Sequence, residues 1–335
     1  MTVKVWLALF CCSAGAHAQY VGAQVCGSCH ADRLKQQSES EHARALRPPA
    51  EHTLAERFPP GLAFDVAAGQ EKKRVPFQWA FGAGDQAVTF VSRLDEDTYL
   101  ENRFSYYARA GGLDLTPGHP TKPKTKWPDA AGVVYKTFAP DGAILRCFEC
   151  HSTGRISLGP RMEIVPAELG VRCEACHGPG QAHVDAVRAG NLATARTAIQ
   201  NPGRMPAAAQ IQICGDCHRK PQQGETATNW NDAWNTRHQP LYLSQSACFR
   251  KSNGALTCIT CHDPHGSLRQ NDAAFYNAKC AGCHSGKPHP QLAAGRAADN
   301  CIACHMPEVS PRQHLQFANH WIGVYGESSP LKPVR

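Results

Sequence analysis

Methionine is nearly absent from this 335-residue chain: beyond Met1 there are only Met162, Met205 and Met306. A soft sulfur ligand is therefore scarce, and any metal chemistry must rest on other side chains. No stretch after the first residues reaches 18 apolar positions, so a retained membrane-spanning helix is not expected. Charged residues make up 19% against 42% hydrophobic, which excludes a wholly disordered chain. Aromatics at 8% and 28 glycines exclude prion-like and collagen-like classes. The basic runs, Glu71-Lys-Lys-Arg74 and Lys122-Pro-Lys-Thr-Lys126, are short and read as solvated surface; no nucleic-acid partner is expected. Cysteine, by contrast, is abundant: 17 residues, equal in number to the histidines.

The first 18 residues account for two of those cysteines. Met1-Thr-Val-Lys4 is a basic start, Val5 to Gly15 an apolar run holding Cys11 and Cys12, and Ala16-His17-Ala18 a small-x-small cleavage pattern. A signal peptide over 1–18 is expected, with a mature chain beginning near Gln19 in the periplasm, and no lipobox precedes either cysteine.

Fourteen of the other cysteines fall into one pattern, C-x-x-C-H, repeated at Cys26/Cys29/His30, Cys147/Cys150/His151, Cys173/Cys176/His177, Cys214/Cys217/His218, Cys258/Cys261/His262, Cys280/Cys283/His284 and Cys301/Cys304/His305. Zinc ribbons pair C-x-x-C units without needing the following histidine, and a thioredoxin-like site occurs once. Covalent haem needs all three residues: two thiols form thioethers with the porphyrin vinyls, and the adjacent imidazole becomes the proximal iron ligand. Histidine following C-x-x-C seven times by chance has a probability on the order of one in a billion. The expectation is seven covalent haem c groups on about 45 residues each, with haem faces supplying much of the core. Cys248 stands outside the pattern and reads as a buried structural thiol.

Outside the signal and the motifs, nine histidines remain as candidate distal ligands. His265, His289 and His183 follow their own motifs too closely to round a ring roughly 10 Å wide, so they are expected to ligate neighbouring haems. His42 falls in a stretch read as a helix over residues 38–45, His119 in the turn Thr116-Pro-Gly-His-Pro120, and His314 and His320 near the end. His52 and His238, flanked by polar loop residues, are left out. With methionine so scarce, bis-histidine ligation and low potentials are expected.

Several strings resemble the multihaem c-type cytochromes grouped with hydroxylamine oxidoreductase and its tetrahaem electron-acceptor cytochrome. They are Tyr20-Val-Gly-Ala-Gln-Val-Cys26 running on to Ser40-Glu-His-Ala43, Gly170-Val-Arg-Cys-Glu-Ala-Cys-His-Gly-Pro-Gly-Gln-Ala-His183, Cys261-His-Asp-Pro-His-Gly266 and Cys304-His-Met-Pro307. The resemblance implies axial roles for His42, His183 and His265, and it covers about half the chain, chiefly the haem segments, not residues 50–140. Departures are seven attachment motifs where the acceptor cytochrome has four, and no C-x-x-C-K of the kind pentahaem nitrite reductases carry at their catalytic haem.

The expected fold is mostly irregular with short α-helices packed on haem. A small β-meander is read between the first two motifs: Val75 to Phe81, Gln86 to Leu94 and Thr98 to Tyr107. Gly82-Ala-Gly-Asp85 is read as a hairpin turn and not as a dinucleotide fingerprint, because a strand follows it. Helices are read at Val184 to Ala189 and Asn191 to Ile199. Four segments are expected: 1–18 signal, 19–48 first haem, 49–140 a β-containing insert supplying a distal histidine, and 141–335 a six-haem module. Electron transfer between redox partner proteins, other cytochromes or a membrane quinol-oxidising complex, is favoured over catalysis. The rivals are an oxidoreductase acting on a small nitrogen or sulfur oxyanion at a five-coordinate haem, and a subunit of a polymeric haem wire. The formal charge of +7 is then misleading, because propionates would carry the mature holoprotein to about −8 with ferrous and about −1 with ferric irons.

Overall fold

The computed structural model describes residues 19–139, 141–221, 238–285, 300–327 and 331–334. The signal segment and His289 lie outside them. Among the described residues the fold consists of short helices, small antiparallel sheets and irregular chain, with no barrel.

The first motif sits on α1 (Ala23–Gly27), followed by α2 (Ala31–Ser38). The helix expected over 38–45 does not form. Ser40 takes its backbone out of the helical pattern: its hydroxyl donates to Gln37 O at 2.7 Å and accepts from Ala43 N at 3.2 Å. The chain then turns through Arg44 N–Glu41 O and Ala45 N–His42 O bonds, so His42 is presented from a turn.

The insert begins with β1 (Leu46–Arg47) and continues through β2 (Ala63–Ala68), β3 (Glu71–Pro76), β4 (Trp79–Phe81), β5 (Ala87–Arg93), β6 (Thr98–Tyr107), β7 (Gly112–Leu115) and β8 (Gly132–Lys136). The larger sheet has the order β1-β4-β5-β6-β7, with β8 also on β6, while β2 and β3 form a separate hairpin. The strand read as Val75 to Phe81 is thus two. Pro76, lacking an N–H, closes β3, and β4 starts at Trp79 opposite Val91. The β4–β5 connection is the hairpin turn read at Gly82 to Asp85.

This sheet supports the second motif. Leu46, Phe81, Val91 and Tyr99 pack with Ile144 and Phe148 of α3 (Ala143–His151) and with Ile164, all buried. The strands β9 (Ser152–Leu158) and β10 (Ile164–Leu169) follow as a hairpin. The buried Tyr99 hydroxyl accepts from Ile164 N at 2.7 Å, joining the two sheets. Tyr99→Phe leaves that N–H without a partner, and chemical denaturation is expected to report a loss of about 1–3 kcal/mol; an unchanged midpoint would remove the bond from any role in joining them.

Beyond β10 the chain is α4 (Cys173–His177), α5 (Gln181–Arg188), α6 (Leu192–Thr197), α7 (Ala207–His218), α8 (Gln239–Gln245), α9 (Ala247–Lys251), α10 (Cys258–Cys261), α11 (Ala273–His284) and α12 (Cys301–His305), ending in a small hairpin, β11 (Glu308–Val309) with β12 (Phe317–Ala318). The short motif helices are started by side chains. Asp272 accepts from Phe275 N, Asn300 from Ala303 N, and Thr257 with Thr260 forms a capping box. Helical pitch places a first cysteine, the cysteine three residues on and the next histidine on one face, which is the geometry covalent haem requires.

Candidate haem-binding sites

Each motif histidine sits at or just beyond a helix C-terminus, and several are oriented through one ring nitrogen. A carbonyl can only accept, so a ring nitrogen facing one must carry the proton. His151 Nδ1–H donates to Ala45 O at 2.9 Å, His177 Nδ1–H to Gln200 O at 2.9 Å and His305 Nδ1–H to Gly323 O at 2.8 Å. Among the distal candidates, His183 donates from Nδ1 to Ala195 O at 2.8 Å and His320 to Ala318 O at 2.9 Å. This tautomer leaves the lone pair on Nε2, the state in which an imidazole binds a metal while its other nitrogen is anchored.

Four distal candidates face motif histidines from distant parts of the chain. Ring centres lie 6.5 Å apart for His30–His183, 6.0 Å for His42–His218, 6.2 Å for His177–His265 and 6.1 Å for His262–His320. Two imidazoles on opposite faces of one iron hold their nitrogens about 2 Å from it, and each ring centre lies about 1 Å behind its nitrogen, so the centres should stand about 6 Å apart. All four pairs match, although the relative ring tilt varies from 20° to 78°. Burial holds His42, His262 and His265 below the usual imidazole range and His320 down to about 4, which favours the neutral, ligating form.

The positioning of His42 depends on a close approach. Its carbonyl accepts from Val171 N at 2.8 Å. Gly170 adopts φ +78°, and a Cβ there would collide with Ala43 O, so a side chain at 170 would push the third motif away from the His42 turn.

The structure does not bring His119 or His314 to a motif histidine among the described residues. His119 turns Nε2 toward Glu101 Oε2 at 3.3 Å, and the same carboxylate oxygen accepts from Tyr135 Oη at 3.0 Å. His314 turns Nε2 toward Asp114 Oδ2 at 2.9 Å. His52 is committed to its own loop: Nε2–H donates to Gly82 O at 3.0 Å while Nδ1 accepts from Leu54 N at 3.0 Å. His238 is buried, with its ring 6.2 Å from that of Tyr242. Cys248 lies close enough to Cys261, Cys280 and Cys283 to interact electrostatically with thiols of the fifth and sixth motifs.

One organising residue escaped sequence reasoning. Glu174, an x position of the third motif, is buried, and its carboxylate accepts from Val21 N at 3.0 Å, Gly22 N at 2.8 Å and Gly180 N at 2.7 Å. It fastens the segment before the first motif to the third. A buried acid inside a C-x-x-C-H was the available signal, since such a group must find donors.

Comparison with known proteins agrees with this arrangement. Residues 131–178, which span the second and third motifs, match the family model described as cytochrome c554 and c-prime. The crystal structure of the outer cell wall cytochrome OcwA superposes with a TM-score of 0.53 at 16% identity, covering 90% of this chain and 79% of that one. The chain is a multihaem c-type cytochrome. Two curated relatives extend the comparison of this cytochrome. The multihaem cytochrome MtrA of Shewanella baltica is 27% identical over 158 residues, 37% of this chain and 45% of the relative. The dissimilatory sulfite reductase MccA of Wolinella succinogenes is 22% identical over 385 aligned positions, 86% of this chain and 51% of the relative. The cytochrome therefore spans about half the length of the curated relatives it matches. No helix among its described residues is long and apolar enough to cross a membrane.

Proposed function

We propose that this cytochrome is an exported, periplasmic heptahaem protein that carries electrons between redox partner proteins. The fourteen motif cysteines hold the haems, and each motif histidine is a proximal ligand. When bound, the haems supply one-electron ferrous/ferric chemistry at potentials lowered by bis-imidazole ligation. The observation that carries the reading is the set of four histidine pairs at 6.0–6.5 Å, each joining a motif to a histidine that belongs to another part of the chain. A distal imidazole on an iron closes the position that a substrate would need. His119, His289 and His314 are proposed for the remaining irons; His119 and His314 would have to release their carboxylates or ligate through Nδ1.

The similarity to a sulfite reductase over 86% of this chain favours a second reading, reduction of a small sulfur or nitrogen oxyanion at one open iron. Mass spectrometry and EPR separate the two. Seven haem additions and wholly low-spin ferric signals are expected, and a stoichiometric high-spin signal that responds to sulfite or nitrite would replace electron transfer by catalysis. In the same experiment His183→Ala is expected to convert about one haem in seven to high spin. A low-spin spectrum indistinguishable from that of the parent would show that His183 does not face the first iron.

A further inference from the structure

The helix α7 touches more haem-attachment motifs than any other helix described, and this deepens the electron-transfer reading, on which it rests. It packs against α3, which bears the second motif, and against α10, which bears the fifth. Its two cysteines divide those contacts. The Cys217 thiol hydrogen-bonds that of Cys150, and Cys150 Sγ in turn reaches Asp216 O at 3.9 Å. On the other side the Cys258 thiol hydrogen-bonds that of Cys214. The third motif joins the same group, with Cys176 close enough to act electrostatically on both Cys214 and Cys217.

The other motifs extend outward from this centre. The helix α1 packs on α4, the Cys26 thiol hydrogen-bonds that of Cys173, and His183 from behind the third motif faces His30. The first motif therefore neighbours the third, and the chain order is broken there. In the other direction α10 packs on α11 and α11 on α12, with Cys280 hydrogen-bonded to Cys301. His320, from beyond the seventh motif, returns to face His262 of the fifth. His42 acts electrostatically on His262, and His218 on His320, so the ligand pairs of the fourth and fifth sites are immediate neighbours.

We propose that the fourth motif, Cys214–His218 at the end of α7, is a three-way junction of a branched array. One arm holds the third and first motifs, another the second alone, and the last the fifth, sixth and seventh in order. Each cysteine carries a thioether, so neighbouring thiols place the corresponding haem edges side by side. The three ends are the first, second and seventh sites, and an electron passing between any two ends must cross the residues of α7. At the first end Cys29 and His30 are exposed, which leaves that end open to a partner.

The test is the structure of the haem-loaded protein by crystallography, with anomalous scattering from iron and each iron assigned to its motif from the map. The expected result gives the fourth iron three nearest neighbours, those of the second, third and fifth motifs, and gives the first iron the third as its neighbour. Irons in chain order along a single line, or a fourth iron at one end, would overturn the junction while leaving a seven-haem electron carrier intact. An unfilled motif would overturn the seven-haem count, and the adjacency of the remaining irons would still decide the branching.

Discussion

Glu174→Ala is expected to destabilise the protein by about 3–5 kcal/mol, the largest loss from any single truncation away from the haem attachments. The side chain is buried and ionic, and it accepts backbone N–H donors from two segments at once: Val21 and Gly22 before the first motif, and Gly180 after the third. Alanine leaves those donors without an acceptor in a region that water does not reach, so the cost is the desolvation of several groups and not of one bond. Glu174→Gln keeps an oxygen for part of the set without the charge, and about half the loss is expected. Guanidinium denaturation of the holoprotein measures both. The local consequence can be separated from the global one, because releasing Val21 and Gly22 loosens α1 from α4 and with it the His30–His183 pair. A high-spin ferric fraction should therefore appear in the alanine variant below its unfolding midpoint. A variant as stable as the parent, with an unchanged EPR spectrum, would mean that Glu174 fills space and holds nothing.

The contrast between Glu174 and its motif marks the boundary of what the amino-acid order discloses. The attachment motifs were legible because covalent haem demands three residue types at fixed separations within one helical turn. The mixture of short helices and small sheets was legible for a related reason, since little chain is available per motif. The meander was legible as alternation in Ala87–Arg93 and Thr98–Tyr107, but alternation runs through Pro76 while hydrogen bonding does not, so one expected strand proved to be two. Pairing was not legible. Which histidine faces His30 or His262 depends on how helices separated by long stretches of chain pack, and no local pattern records that. For His119 and His314 the unseen factor was a carboxylate, Glu101 or Asp114, brought up by tertiary structure to the nitrogen a metal would use. The helix expected around His42 failed for a local reason that could have been read, the Ser40 hydroxyl competing for its own backbone.

Removing the junction is expected to divide the electron route into separate parts. In Cys214→Ala/Cys217→Ala the mass falls by one haem, and His42 loses the partner it faces across 6.0 Å. The arms that met on α7 then have no shared neighbour. Electrons can be delivered at one end by flash from a ruthenium complex tethered at position 35 through Lys35→Cys, because Lys35 is exposed on α2 beside the first motif. With α7 intact, the injected electrons should equilibrate over all seven sites. In the double variant fast reduction should stop at about two of the six that remain, those of the first and third motifs. His218→Met provides the control for folding. It keeps both thioether cysteines, so seven haems remain attached, but a Met/His ligand set raises the potential of the fourth site. Electrons injected at position 35 should then collect at the fourth site before reaching the fifth, sixth or seventh. Rapid reduction of all six haems in the cysteine variant would mean that the arms are joined elsewhere, and the branching at α7 would be wrong.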